Sequence, residues 1–502
     1  MPQQNIGSVL IVGGGTAGWM TAAALSHKLA GTGIAIQLIE SEAIGTVGVG
    51  EATVPHIRHF NQSLGFDEAD FLARTNATFK LGIEFCNWGR IGDRYVHPFG
   101  EFGRPIAGAP FIEQWARLRR SGHVGNLDPW SLPVVAAREG RFAHPSGAAD
   151  ALTASYGYAY QFDAGLYARF LRDYAETRGV VRSEGRVVDV VRDRENGLIA
   201  SITLDDGRML GADLFVDCSG FRGLLIEGAL CAGYENWSHW LPCDRAWAVP
   251  CPNVGPIAPY TRATAQGAGW TWRIPLQHRA GNGHVFSSDF TDDQTALDTL
   301  IAGLDAPPLA EPRQLRFVPG KRKAQWVGNT VAIGLAAGFL EPLESTSIHL
   351  IQIGIETLLD LFPTADWDPV DAREYNARMD LEYDRVRDFI ILHYAATQRD
   401  DTPFWNHVRT MVLPDSLAEK IALFRARGHV VGYRHGMFLE PSWHAVYAGQ
   451  NIVPERGGMA AETRDLNAIA AELTALSNEI ARIAATLPRH ADALPARMAA
   501  AE

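Results

Sequence analysis

At 502 residues the chain is longer than one small hydrophobic core can organise, and its length predicts roughly two to four structural units. Its 47% hydrophobic and 20% charged residues are ordinary for a globular protein, and a net charge of −12 excludes the clustered basic footprint of a nucleic-acid binder. Five cysteines (Cys86, Cys218, Cys231, Cys243, Cys251) form neither a CxxC pair nor an even disulfide framework. The N-terminus lacks a cationic and apolar leader, and the longest apolar run, Val331 to Leu340, is too short to span a bilayer. These features predict a cytoplasmic protein with free thiols and no membrane partner.

Ser8 to Val12 is a short apolar run that reads as a buried parallel strand. Gly13-Gly14-Gly15-Thr16-Ala17-Gly18 follows, then a helical stretch from Trp19 to Ala30 and a second strand from Ile34 to Ile39 that ends at Glu40. This is GxGxxG between a strand and a helix, with an acid about 20 residues further on, where a carboxylate can bind ribose hydroxyls. It predicts a bound adenine dinucleotide. Ser41 to Val54 then brings a second glycine-rich loop, with Gly45, Gly48 and Gly50. It is either an ordinary flexible loop or backbone that approaches a large flat ligand closely. The chain departs afterwards into other material instead of continuing with βα units, which favours FAD in an extended groove over NAD.

Phe79 to Phe85 alternates as a single strand, with Lys80, Gly82 and Glu84 on one face. By itself that pattern makes Lys80 and Glu84 a solvated ion pair. Residues 86–185 are rich in aromatics, glycine and proline, suited to a substrate-facing insertion, although aromatics mostly build core. A helix from Ala164 to Arg178 leads into a predicted meander, Val187 to Val191, Leu198 to Leu204, a turn at Asp205-Asp206-Gly207, and Ala212 to Cys218. The last of these strands, ending in Asp217-Cys218-Ser219-Gly220, is expected to rejoin the cofactor sheet.

Residues 245–320 predict a second sheet, in which Trp270 and Trp272 share one strand face with Gly283 to Phe290 as partner strand. Two indoles at period two either pack or wall a cavity. Next comes an apolar strand, Thr330 to Ile333, a glycine-rich turn, and a helix from about Ile348 to Phe362, with the carboxylate of Glu344 just before the helix start. Free amides at a helix start attract anions, so an anion site stands beside a possible proton acceptor. Leu466, Ile469, Leu473, Leu476, Ile480, Ile483 and Leu487 form an a/d pattern, which fits either a homodimer seam or a helix packed on its own subunit. Ala484 to Glu502 is expected to fray. No metal-ligand cluster and no G-x-S-x-G elbow is present.

Taken together, the GxGxxG loop, Val49-Gly50-Glu51-Ala52-Thr53-Val54-Pro55, Phe79-Lys80, the WxWxIP motif at Trp270 to Pro275 and Glu341-Pro342-Leu343-Glu344-Ser345-Thr346 resemble the flavin-dependent halogenases of the tryptophan halogenase family. The resemblance runs from the first strand to about Pro454. It implies an α/β fold of the two-lobed FAD-dependent monooxygenase type. Residues 1–85 and 160–365 would form the FAD box, and residues 86–159 and 366–502 an aromatic-rich insertion with a helical, pyramid-like lobe. It also implies that FADH2 from a separate NAD(P)H-dependent flavin reductase, with O2 and chloride or bromide, yields hypohalous acid that travels to a lysine.

Residue by residue, the resemblance puts Lys80 at that lysine and Glu344 at the proton acceptor. Gly13, Gly15, Thr16, Ala17, Gly18, Glu40, Gly48, Val49, Gly50, Val187, Gly334 and Leu335 fall against FAD, and the amides of Thr346 and Ser347 against halide. Many relatives carry glycine where this chain has Ser347, which requires a φ there that serine tolerates. His97, Pro98, Phe99 and Trp443 would flank a small aromatic substrate, and Trp270 and Trp272 would stand on the flavin side of the tunnel. The tyrosine pair with which tryptophan-specific members clamp an amino acid is not recognisable between Tyr433 and Trp443, which predicts an open pocket for indole-like or larger aromatics. The rival readings are a flavin aromatic hydroxylase, which needs neither Lys80 nor a halide site, and a flavin-binding protein without chemistry.

Overall fold

The computed structural model describes residues 5–42, 50–106, 108–432 and 436–495. Ser8–Val12 is buried beyond its first residue because it is central in a six-stranded sheet. It pairs in parallel with Leu214–Asp217 on one side and Ala35–Glu40 on the other. Val181–Glu184 extends the sheet in parallel beyond Ala35–Glu40, and Thr330–Ala332 extends it in parallel beyond Leu214–Asp217. Trp326–Val327 closes that second edge antiparallel. The glycine-rich turn feeds the helix Thr16–Lys28, whose residues Gly18 to Ser26 are all buried, since it is packed between the sheet and the helices Ala164–Glu176 and Ser347–Asp360.

A second sheet of seven strands carries Trp270 and Trp272. Its order is Arg313–Arg316, Arg245–Cys251, Ala280–Phe286, Gly269–Pro275, Thr261–Gln266, Gly82–Cys86 and Arg94–Pro98. Its pairs are antiparallel apart from the parallel contact of Thr261–Gln266 with Gly82–Cys86. Register places Trp272 opposite Gly283, where a Cβ would meet the indole at 2.1 Å. The missing side chain at 283 is what lets that ring lie flat on the sheet.

Four expectations are corrected. Phe79 to Phe85 is not one strand. Thr78–Lys80 pairs with Ala159–Asp163 in a three-stranded sheet completed by Gly50–Ala52, and Gly82–Cys86 belongs to the seven-stranded sheet. The chain changes sheets at Leu81, whose amide donates to Pro259 and whose carbonyl accepts from Phe99. Glu84 is therefore no partner of Lys80: it is buried between Arg94 and Arg262, at 2.8 and 2.9 Å. The third strand of the meander is Met209–Leu210, while Leu214–Asp217 rejoins the first sheet as expected. The chain does not fray between Ala484 and residue 495; residues 496–502 lie outside the described residues. The helix Leu466–Thr486 continues past Ala484, and His490 is buried, accepting at Nε2 from the Phe79 amide. The apolar seam of that helix is spent within its own chain: Ile469, Leu473, Leu476 and Ile480 are buried, and Trp130 Nε1 donates to the Leu473 carbonyl.

Candidate active site

The glycine turn builds one end of a cavity of about 880 Å³. Gly13 takes φ +116°, and a Cβ there would stand 2.2 Å from the Cys218 carbonyl oxygen. A Cβ on Gly18 would stand 1.8 Å from the Gly13 carbonyl oxygen, so that glycine lets the helix lie against the turn. A Cβ on Gly15 would meet nothing within 4 Å among the described residues, which leaves room for a ligand to approach the backbone. Thr16 and Ala17 open the helix with no side-chain cap, so its first amides are free for an anion. Arg169, Arg172, Arg182, Arg186 and Arg222 line the same cavity, together with Glu40, Glu42 and Glu51. These are the requirements of a pyrophosphate, and the residues present fit FAD.

Glu40 lines this end. Its Oε2 accepts from Trp19 Nε1 at 3.2 Å, and its other oxygen is ion-paired with Arg182. Gly50 and Val187 line the cavity as well, and so do Gly334, at φ +74°, and Leu335. Gly48 and Val49 lie outside the described residues. At its far end the cavity is walled by Trp270, Trp272, Ile274, Pro342, Ser345 and Ser347.

Lys80 stands behind that wall, fully buried at the end of its short strand. Its Nζ donates to Ser345 Oγ at 2.8 Å and to the Thr53 carbonyl at 3.0 Å, and lies 5.2 Å from the Phe99 ring centre. Burial pulls the amine down to about 7, against the attraction of Glu344. Glu344 is buried too, in the short 3₁₀ turn Pro342–Glu344. Its Oε2 lies 2.8 Å from His97 Nδ1 and its Oε1 2.7 Å from His393 Nε2. Burial pushes this carboxyl up, but the two imidazoles beside it, His97 before His393, outweigh that and bring it down to about 2.

Ser347 begins the helix with ordinary right-handed geometry, so serine is tolerated there; the left-handed residue of the segment is Ser345, at φ 60°. Thr346 is buried, and its Oγ1 has no partner among the described residues.

An aromatic cluster adjoins Glu344. His97 stands 5.7 Å from Phe389 and 6.2 Å from Phe438, and Phe438 stacks on Phe389 at 3.8 Å. Trp443 meets Phe389 edge-on at 5.2 Å and donates from Nε1 to the Phe438 carbonyl at 3.2 Å. Pro98 pairs with Gly82 and carries the strand from His97 towards Phe99.

A profile of the tryptophan halogenase family matches residues 8–465. The chain belongs to the tryptophan halogenase family. As a flavin-dependent halogenase it has the fold of FAD-dependent monooxygenases. It is similar to BrvH, a flavin-dependent halogenase from Brevundimonas sp. BAL3, with 46% identity, coverage of 97% of this chain and 98% of that one, and a TM-score of 0.93. It is similar to the flavin-dependent halogenase Xcc4156 from Xanthomonas campestris, with 46% identity, 99% and 100% coverage and a TM-score of 0.94. It is also 37% identical to the tryptophan 6-halogenase SttH of Streptomyces toxytricini, over 97% of this chain and 98% of that protein.

Around Lys80 and Glu344, this halogenase brings together residues that sequence reasoning missed. Ser345 was in view as a neighbour of Glu344, but its bond to Lys80 spans 265 positions. Thr53 acts through a backbone carbonyl, which no side-chain pattern reveals. Phe389 and His393 share one face of the helix Pro369–Ala395 at i, i+4, a spacing visible in the sequence whose target was not.

Proposed function

We propose that this halogenase attaches chloride or bromide to an electron-rich, indole-like aromatic ring, with Lys80 holding the electrophilic halogen and Glu344 taking the ring proton. One contact supports this most directly. Lys80 Nζ bonds the side chain of Ser345, the residue that follows Glu344 and also lines the cavity that fits FAD. The amine and the carboxylate are thus tied to one turn, at the wall between cofactor and substrate sides. Reduced FAD, when bound, supplies with O2 the two-electron oxidising power that turns halide into hypohalous acid.

The chain's own residues would do the rest. The Ser347 end of the helix, beside Thr346, offers amides to the halide. Trp270 and Trp272 keep a bulky ring from the flavin while leaving a small oxidant a way through. Lys80, held near 7, is available both as ammonium, which hydrogen-bonds the oxidant, and as amine, which binds halogen directly. Either form holds the halogen in place. Glu344, held ionised, accepts the proton that the ring loses.

The substrate side is aromatic, built from His97, Phe99, Phe389, Phe438 and Trp443, and Phe438 presents an apolar ring. This favours indole-like and larger aromatics over an amino acid that carries two charges. Members of this class draw FADH2 from a separate flavin reductase, and no second dinucleotide fingerprint for NAD(P)H is present in the chain. Among the described residues no helix is long and apolar enough to cross a membrane.

The test is a product assay with a flavin reductase, NADH, FAD and chloride or bromide, with indole and free tryptophan as substrates. Haloindole is expected, with free tryptophan turned over poorly. Hydroxyindole without haloindole would make the protein a hydroxylase, no product would make it a flavin binder, and efficient saturable turnover of free tryptophan would remove the open-pocket assignment.

A further inference from the structure

The two indoles on the wall between the cofactor cavity and Lys80 are held by different devices. Trp272 lies flat against Gly283, and its Nε1 has no partner among the described residues. Trp270 stands opposite Ala265 and Val285 in its sheet, with its ring centre 6.0 Å from that of Trp272. Its Nε1 donates to Glu341 Oε2 at 2.6 Å. A ring that faces a cavity lacks packing on that side, so its rotamer depends on what holds its far edge. Here that is one buried carboxylate oxygen.

Glu341 is itself fixed from the other side. Tyr394, on the helix Pro369–Ala395, donates from its hydroxyl to the same oxygen at 2.6 Å. The Tyr394 ring is wedged among Trp88, Phe404 and Trp405, with ring centres 5.4, 5.9 and 6.1 Å away. Trp270 and Tyr394 thus occupy both lone pairs of Oε2, and each bond persists whether or not the other oxygen carries a proton. In the chain, Glu341 leads directly into the turn Pro342–Glu344, and the next residue, Ser345, accepts from Lys80 Nζ. The Leu343 amide closes the start of that turn on the Glu341 carbonyl at 2.8 Å. One residue therefore joins the strand of Trp270, the turn of Glu344 and the helix of Tyr394. Burying a carboxyl costs stability, so its presence at this junction is better explained by what it positions.

We propose that Glu341 is a positioning residue that fixes the Trp270 ring relative to the turn carrying Glu344 and Ser345, and so aligns the passage out of the cofactor cavity with Lys80. This rests on the assignment of Trp270 as a barrier between the flavin and a bulky ring. Trp270 lines the cavity and Glu341 does not, so Glu341 acts through the indole. With that ring free to turn, oxidant leaves the cavity by routes that miss Lys80, and the fraction reaching solution rises.

The test counts products in a single turnover, in which enzyme loaded with FADH2 meets O2, bromide and indole, with free methionine present to trap escaped oxidant as its sulfoxide. Trp270→Phe keeps a ring without the donor, and Glu341→Leu removes the acceptor. Each is expected to raise sulfoxide relative to bromoindole by about threefold or more. The double variant should be no worse than either alone, because the two residues act as one unit. Glu341→Gln, which keeps an acceptor oxygen, and Tyr394→Phe, which leaves the Trp270 bond in place, should stay near the wild-type ratio. KM for indole and the affinity for FAD should stay within about twofold throughout. Additive effects in the double variant, or an equal rise in Tyr394→Phe, would make Glu341 a structural tie and overturn the proposal.

A measurement on the unaltered protein guards against a Glu341→Leu variant that fails to fold. Proton–nitrogen NMR of the tryptophan-labelled full-length chain is expected to show the Trp270 indole N–H, assigned by its loss in Trp270→Phe, shifted downfield and slow to exchange with water. An indole N–H with ordinary shift and exchange overturns the proposal. Trp270→Ala separates the two levels of the argument. If it leaves the ratio unchanged, Trp270 is no barrier and the role of Glu341 falls with that assignment. If it raises the ratio while Glu341→Leu does not, only the role of Glu341 falls.

Discussion

Glu341 and Glu344 stand three residues apart, both sealed from water, and are held at opposite ends of the carboxylate range. Burial lifts Glu341 to about 7, although Tyr394 and Trp270 each donate to its Oε2 at 2.6 Å. Glu344 has histidines on both oxygens and is brought down to about 2 despite equal burial. The helix Pro369–Ala395 governs both, since His393 faces one carboxyl and its neighbour Tyr394 the other. Hydroxyl and indole donors on one oxygen only soften the cost of burying a carboxylate, while imidazoles at both oxygens reverse it.

Glu341 should therefore make stability pH-dependent. Its folded value of about 7 lies above the ordinary 4.5, so its stabilising contribution is complete below about 4.5 and lost as pH rises through 7. Glu341→Gln mimics the protonated carboxyl and keeps an oxygen for Tyr394 and Trp270. Its melting temperature is expected to match the wild type near pH 5 and to exceed it by a few degrees at pH 8. Equal melting curves at pH 8 would show that Glu341 stays ionised without penalty.

Lys80→Met should abolish halogenation, by about 100-fold or more, while flavin binding survives, because Lys80 lies behind the wall of the flavin cavity. Stability gives an independent check. Burial holds the amine near 7 against an ordinary 10.5, so between those values the unfolded chain binds a proton that the folded chain lacks. The wild type should gain stability relative to Lys80→Met as pH rises from about 7 towards 10. A difference in melting temperature that does not vary with pH would mean that the amine titrates normally.

Ser345 anchors Lys80 from a left-handed position, φ 60°, which alanine tolerates poorly. Ser345→Gly removes the hydroxyl without adding backbone strain. Halogenation should drop by about tenfold, the size expected for a lost hydrogen bond to a charged group. Turnover and melting measured on the same preparation would show whether the loss is catalytic. Undiminished turnover would mean that the Thr53 carbonyl alone holds the amine.

Phe438 stacks on Phe389 beside His97 and Trp443, where it would narrow the proposed substrate space. Phe438→Ala should cost about 3 kcal/mol of stability and raise the relative turnover of aromatics larger than indole. A competition assay between indole and a fused three-ring substrate would read the shift, and an unchanged ratio would place Phe438 outside the substrate space.

Much of this was legible in the chain because it depends on local periodicity. The strand, GxGxxG turn, buried helix and acid of the cofactor end follow one another within the first 40 residues, and Gly13 and Gly18 stand where only glycine fits. The indole pair at Trp270 and Trp272 was legible for the same reason. The change of sheet at Leu81 was not: alternation continues unbroken from Phe79 to Phe85, and the break comes from hydrogen bonds to Pro259 and Phe99.

The amino-acid sequence by itself determined the fold and, through its motifs, the family, and it singled out Lys80 and Glu344 as candidates. Only the tertiary structure decided what state those residues are in. An amine near 7 and a carboxyl near 2 come from burial and from neighbours 247 positions away at His97 and 49 away at His393. Electrostatic strength depends on distance in space and on exclusion of water, and spacing along the chain encodes neither.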